Sequence, residues 1–463
     1  MIEIFATILL ASAFYIICIH FINDLETILL SIIFFPFIFK DKTGFFFYQN
    51  FKDIFLLLLS IIIYLKYLIP LKKKEPKIVF YFHVIFLIIV FVPLINLFFN
   101  IEILFISISF IAEFVKSIIL PICYLIIFFS VFVYFNNNAI KRLFEKIYFI
   151  LFFIFLEFLT SIILKQYLDL QVLRVIYPEN IFRSIFINGH IATLHFFIFG
   201  YFLGFYFFKL KKEKKYLLIN FLFLIIILFN LETRLTLGAF IFTNIILALF
   251  SFKNINYREK NLFYSSITYT FIIFTFVTII VNFFGNTVTS IQPDLKQILF
   301  LNFDFWPTPI IERVNTNIFF IENLISNYFI GFGYDNVGSF TSVNNLEIIP
   351  KIFISDFDHL SYSFLHSGVE FVAHHGSTPR VHSGILNIII SYGLFSIVLI
   401  YIFIKIFNFY DYNCKVSNPL KEFVLITITF FICSSIINYI YEVEILVTLL
   451  IAAYIITRKK NEI

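Results

Sequence analysis

His382 stands two residues after Arg380 and two before Gly384, where a polar loop gives way to an apolar run. An imidazole titrates near neutrality, so a histidine at a membrane–water boundary suits proton abstraction from a substrate. Arg183, Arg234 and Arg313 join Arg380 as candidates for holding an anion, because guanidinium forks match phosphate oxygens bidentately and do not deprotonate. Each has a plainer reading. Arg234 opens the run "LTLGAFIFTNIILALF" and could be a snorkelling anchor paired with Glu232, while Arg183 alone reads as a solvated loop residue. His359, His366, His374 and His375 lie with His382 near Asp356 and Asp358, which raises a divalent-metal site, although their spacing fits no standard ligand pattern. Glu157, inside "ILFFIFLEFLTSIIL", is costly against lipid and suits an interhelical hydrogen bond or a functional role.

The elements that position these residues follow from composition. Of 463 residues, 61% are hydrophobic and only 14% charged, far below the quarter usual in soluble proteins. Repeated apolar runs approach the roughly 20 residues that cross a bilayer as helix, and none shows the short alternating pattern of a barrel strand. The expectation is an all-α, polytopic transmembrane helix bundle. Spans are expected near 78–99, 117–135, 146–164, 190–208, 216–231, 235–252, 262–284, 384–407, 422–439 and 443–457. The N-terminal quarter leaves the total at 12 or 13 and the side of the N-terminus open, because "TILLSIIFFPFIF" is short and "IFLLLLSIIIYLKYLIP" carries Lys66. The run that begins beside Met1 lacks a small-residue cleavage site and is expected to be retained.

Charge then assigns sides. Basic clusters "LKKKEPK", "NNNAIKRLFEK", "KLKKEKK", "KNINYREK" and "RKKNEI" separate the spans, as cytoplasmic loops do. Short runs between apolar spans read as topology signals rather than nucleic-acid contacts. Residues 285–381 hold four basic groups against nine carboxylates, which puts this region outside with Arg313, Arg380 and the adjoining His382. Alternation of the spans puts 165–189 and the turn 230–234, with Arg183 and Arg234, on the same side. Three parts result: helices with short loops over 1–284, a large external loop over 285–383, and C-terminal helices over 384–463. Within the loop, Ile311, Val314, Ile318, Ile321, Ile325 and Phe329 recur at helical spacing before the glycines of "GFGYDNVGS". Cys18, Cys123, Cys414 and Cys433 form no CxxC pair.

Four motifs in order resemble the O-antigen ligase and polymerase superfamily of bacterial envelope glycosyltransferases. The family's histidine motif is matched by His382-Ser383, nine residues, then Gly393-Leu394-Phe395 and Ser396, where only Ser396 departs. "RSIFINGHIATL" resembles the family's arginine-led entry to a span, departing at Ile185 and Gly189-His190. "ETRLTLGAF" resembles its S-R-G-A turn with Thr233 in place of serine, and "ERVNTNIFFIENLISNYFIGFGYDN" its R-x-x-x-W … G-x-G run. The likeness covers about 180–405. It implies that Arg183 and Arg234 bind the donor's pyrophosphate and that His382 activates the acceptor. It also implies an inverting, metal-independent reaction without a cofactor, on the periplasmic side of the inner membrane. The implied partners are an undecaprenyl-pyrophosphate-linked glycan and a lipid A-core or glycan acceptor, with no nucleic acid. Ligase, polymerase and protein O-oligosaccharyltransferase are the enzymatic readings. A flippase of lipid-linked sugar is the non-enzymatic one, and the sequence shows no repeated halves that would favour it.

Overall fold

The computed structural model describes residues 24–34, 47–71, 76–99, 108–168, 190–229, parts of 236–244 and 321–334, and 384–407, 419–437 and 443–457. Among these residues the structure is helical, and its one β feature is an isolated bridge between Ile330 and Gly393. Three helical stretches, Lys77–Phe99, Phe114–Tyr134 and Thr193–Lys211, are long and apolar enough to cross a membrane. Shorter apolar helices cover Phe55–Leu68, Phe395–Ile406 and Glu444–Ile456.

Local chemistry sets the helix ends. Helix α1 (Leu25–Ile33) begins at Asp24, whose carboxylate accepts the Glu26 amide at 3.2 Å. Helix α2 (Phe47–Ile63) widens into a π-helical turn over Tyr64–Leu68 before Pro70, where Ile69 N–H reaches the Tyr64 carbonyl. A proline cannot donate to the carbonyl four residues back and crowds it, so the chain loosens there. Helix α3 (Pro76–Phe99) starts on a proline, which suits a first helical position. Helix α4 (Ile108–Tyr134) meets α5 (Asn137–Leu168) across two residues, and Asn136 caps α5 by accepting the Ala139 amide at 2.9 Å. Helices α6 (His190–Lys211) and α7 (Lys214–Phe229) form a tight hairpin through Lys212, which carries φ 55. Gly200 and Gly204 let this pair close up: a Cβ at Gly204 would lie 1.7 Å from Asn220 Oδ1, while Asn220 Nδ2 donates to the Tyr201 carbonyl at 3.0 Å.

Ion pairs gather several helix ends at one place, called here the basic end. Buried Glu26 accepts from Arg142 (3.1 Å) and Lys146 (2.7 Å) at the start of α5. Lys211 pairs with Glu145, and Lys209 with Glu422 at 2.7 Å. Glu422 belongs to helix α10 (Pro419–Ile437), which precedes α11 (Glu444–Ile456). The start of α1 is thereby fixed beside the α4–α5 and α6–α7 turns. Between the ends, Phe144, Tyr148, Phe197, Phe199, Phe207 and Phe223 form a buried aromatic core, while Phe98, Phe153, Leu218 and Ile397 stay exposed as lipid-facing side chains do.

The span expected over 384–407 is not one helix. It is α8 (Gly384–Tyr392) and α9 (Phe395–Phe407), broken at Gly393. Both halves are apolar, so hydropathy alone reads them as continuous. Helix α5 also outruns its expected span, because "NNAIKRLFEK" joins the helix ahead of the apolar run.

Candidate functional site

Gly393 shapes this region. Its φ is +52, and a Cβ there would lie 1.9 Å from the Phe329 carbonyl oxygen, so only glycine fits. A helix that stops leaves carbonyls without partners, and this one stops about 13 Å along from its start at Gly384, judged by helical rise. The partners come from the segment that the sequence places in the large loop. Phe332 N–H donates to the Ile390 carbonyl at 3.2 Å and Gly333 N–H to that of Ser391 at 2.8 Å. Leu394 N–H donates to the Phe329 carbonyl at 3.1 Å. The backbones meet too closely for side chains, since a Cβ on Gly331 would sit 2.2 Å from the Ser391 oxygen. The residues 329–334 are therefore packed among helices rather than free of them.

Side chains secure the docked segment from three directions. Phe332 is buried, with 4% exposure. Asn96 on α3 donates to the Gly331 carbonyl at 3.4 Å, and Gly333 lies against Pro93 of α3 and Ser117 of α4. Tyr334 donates its hydroxyl to Glu444 at 3.1 Å, at the start of α11. On α8, Ser391 donates to Asn387 at 3.3 Å. This set of amides and hydroxyls, with one carboxylate, fixes backbone in an apolar setting, where every unsatisfied polar group is expensive.

Arg183, Arg234, Arg313, Arg380 and His382 lie outside the described residues, as do the histidines and aspartates of 356–375. The structure does place the glycines of two motifs: Gly331 lies beside Gly393, which Ile330 bridges, and Gly333 donates to Ser391 two residues before it. Glu157 is half-buried on α5. No family model matches the chain. Neither a curated protein nor a solved structure is similar to it. What can be said of function comes from its own residues.

Sequence reading passed over Asn96, Ser117, Tyr334 and Glu444. The available signal was polarity in the wrong place, such as an asparagine three residues after Pro93 in an otherwise apolar span. It also passed over His195, the second histidine of "HIATLHFF". That ring is buried, pairs through Nε2 with Ser434 Oγ at 2.7 Å and stacks on Phe431, joining α6 to α10.

Proposed function

We propose that this protein is a polytopic inner-membrane glycosyltransferase of the O-antigen ligase type, with 12 or 13 spans and residues 285–383 on the periplasmic side. The observation that carries the reading is a meeting in space of two segments that lie about 60 residues apart in the sequence and that both resemble motifs of that family. The segment that carries the G-x-G of "GFGYDN" docks along the stretch Ile390–Leu394 around Gly393 of the histidine motif: Ile330 bridges Gly393, and the Phe332 and Gly333 amides reach Ile390 and Ser391. Chance likenesses in a phenylalanine-rich chain have no reason to meet in this way. The basic end of the bundle is then cytoplasmic, in keeping with the lysines and arginines around it.

In this reading the donor is a glycan on undecaprenyl pyrophosphate and the acceptor is a sugar hydroxyl of lipid A-core. Arg183 and Arg234, with Arg313 and Arg380, neutralise the pyrophosphate. His382 takes the acceptor's proton as its oxygen bonds to the anomeric carbon from the face opposite the leaving group. The bond from that carbon to the pyrophosphate oxygen breaks, and undecaprenyl pyrophosphate departs. Alignment and charge neutralisation carry most of the work, because the leaving group is already a good one.

Deleting the gene and separating the envelope glycolipids on a gel tests this. Loss of all long chains from core, restored by the intact gene but not by His382→Ala, is the expected result. Core bearing a single repeat unit would mean a polymerase that extends the lipid-linked glycan, and an unchanged pattern would overturn both.

A further inference from the structure

We propose that the break at Gly393 is a two-state switch, in which the segment Phe329–Gly333 and the continuation of α8 into α9 compete for the same two carbonyl oxygens. In the docked arrangement the Ile390 oxygen takes the Phe332 amide at 3.2 Å and the Ser391 oxygen takes the Gly333 amide at 2.8 Å. In an unbroken helix, those oxygens would take the amides of Leu394 and Phe395 instead, four residues on. The Leu394 amide is engaged elsewhere while the segment is docked, on Phe329 at 3.1 Å. Both arrangements satisfy the end of α8, which is the requirement for backbone at membrane depth. Glycine can adopt the left-handed φ of the break and the right-handed φ of a continuous helix.

The two states are also opposed energetically. Burial of Phe332 and the contacts of Asn96 and Tyr334 favour docking. Against it stand Tyr328 and Phe329, which carry φ 53 and 58 at the root of the segment although neither is glycine. That conformation is disfavoured for L side chains and relaxes when the segment leaves. Strain at the root, with alternative partners for the same acceptors, makes a bistable element. Straightening α8 and α9 would swing the start of α8, and with it the sequence that holds His382 two residues earlier. This last link rests on the functional reading above, whereas the switch itself does not.

Peptide-resolved hydrogen exchange on the full chain in lipid nanodiscs tests the switch with Gly393→Ala and Gly331→Ala. The first adds a Cβ that would lie 1.9 Å from the Phe329 oxygen, and the second one 2.2 Å from the Ser391 oxygen, so each forbids docking while permitting a straight helix. The amides of Phe332 and Gly333 should exchange about 100-fold faster or more, while those of Leu394 to Ile397 keep their protection. Loss of protection in both segments together, no change in either, or failure of both variants to accumulate would show that Gly393 is a fixed kink. Transfer measured on the same preparations separates the two ideas. A kcat at least about tenfold lower with unchanged KM for the donor links the switch to His382. Reciprocal exchange with unaltered transfer keeps the switch and removes that link.

Discussion

Buried Glu26 faces two cations whose side chains are 68% and 45% exposed, so the three members of the cluster are not equivalent. Removing Arg142 and Lys146 together strands a buried carboxylate, whereas removing the carboxylate leaves cations that can reach water. The double alanine variant should therefore lose about 3–5 kcal/mol, Glu26→Gln clearly less, and the triple variant should resemble Glu26→Gln alone. Unfolding curves in detergent give the ranking, and equal losses in all three would refute the asymmetry. At the proposed site, His382→Ala should lower transfer by about 10²–10⁴ while donor binding is kept, and activity should fall as the imidazole protonates. His374→Ala and His375→Ala should tolerate the change. If they fail with Asp356 or Asp358 variants, and chelator inhibits, the metal-free mechanism is wrong. Single residues were legible in the sequence where a motif spaced them, as with Gly331, Gly333 and Gly393. Asn96 and Glu444 were not, because their partners lie 235 and 110 residues away and polarity alone says nothing about who answers it.

Among elements, the hairpin of α6 and α7 closes tightly at Gly204, under Asn220. Gly204→Ala gains roughly 1 kcal/mol of helix propensity but must displace the Asn220 amide, and such overpacking costs about 1–3 kcal/mol. The single variant should thus be destabilised on balance, and adding Asn220→Ala should recover stability by opening the space. Thermal unfolding of the two variants decides it, and no recovery would mean that the glycine serves something other than this contact. Most described helices were legible from apolar runs of sufficient length, since lipid-type composition leaves helix as the form that satisfies its own backbone. Their ends were less so, because capping by Asn136 or the extension of α5 through polar residues leaves hydropathy unchanged. The break at Gly393 was hidden for a different reason. A lone glycine between two greasy runs looks like tolerated filler until the segment that docks on it, about 60 residues upstream, is known.

For the whole molecule, charge counting alone left the N-terminal quarter without a side. The pairing of Glu26 with Arg142 and Lys146 settles where α1 starts, at the end that also holds Lys209, Lys211 and Glu422. The proposed orientation predicts that a cysteine at Ser339 reacts with an impermeant thiol reagent in cells whose outer membrane alone is permeabilised. A cysteine at Lys212 should react only after the inner membrane is opened. The reverse pattern would invert the whole assignment, including the side on which His382 works.

The same pairing has a consequence in time. The chain emerges N-terminus first, and Arg142 follows Glu26 by 116 residues. At ordinary synthesis rates that interval is about 6–23 s. For those seconds the carboxylate has neither of its cations, so α1 cannot settle as a buried helix when it is made. It must wait at the interface, where water can reach the carboxylate, until α5 arrives. Assembly of this bundle is then late at its beginning: the first described helix is among those that lock only after the fifth has entered.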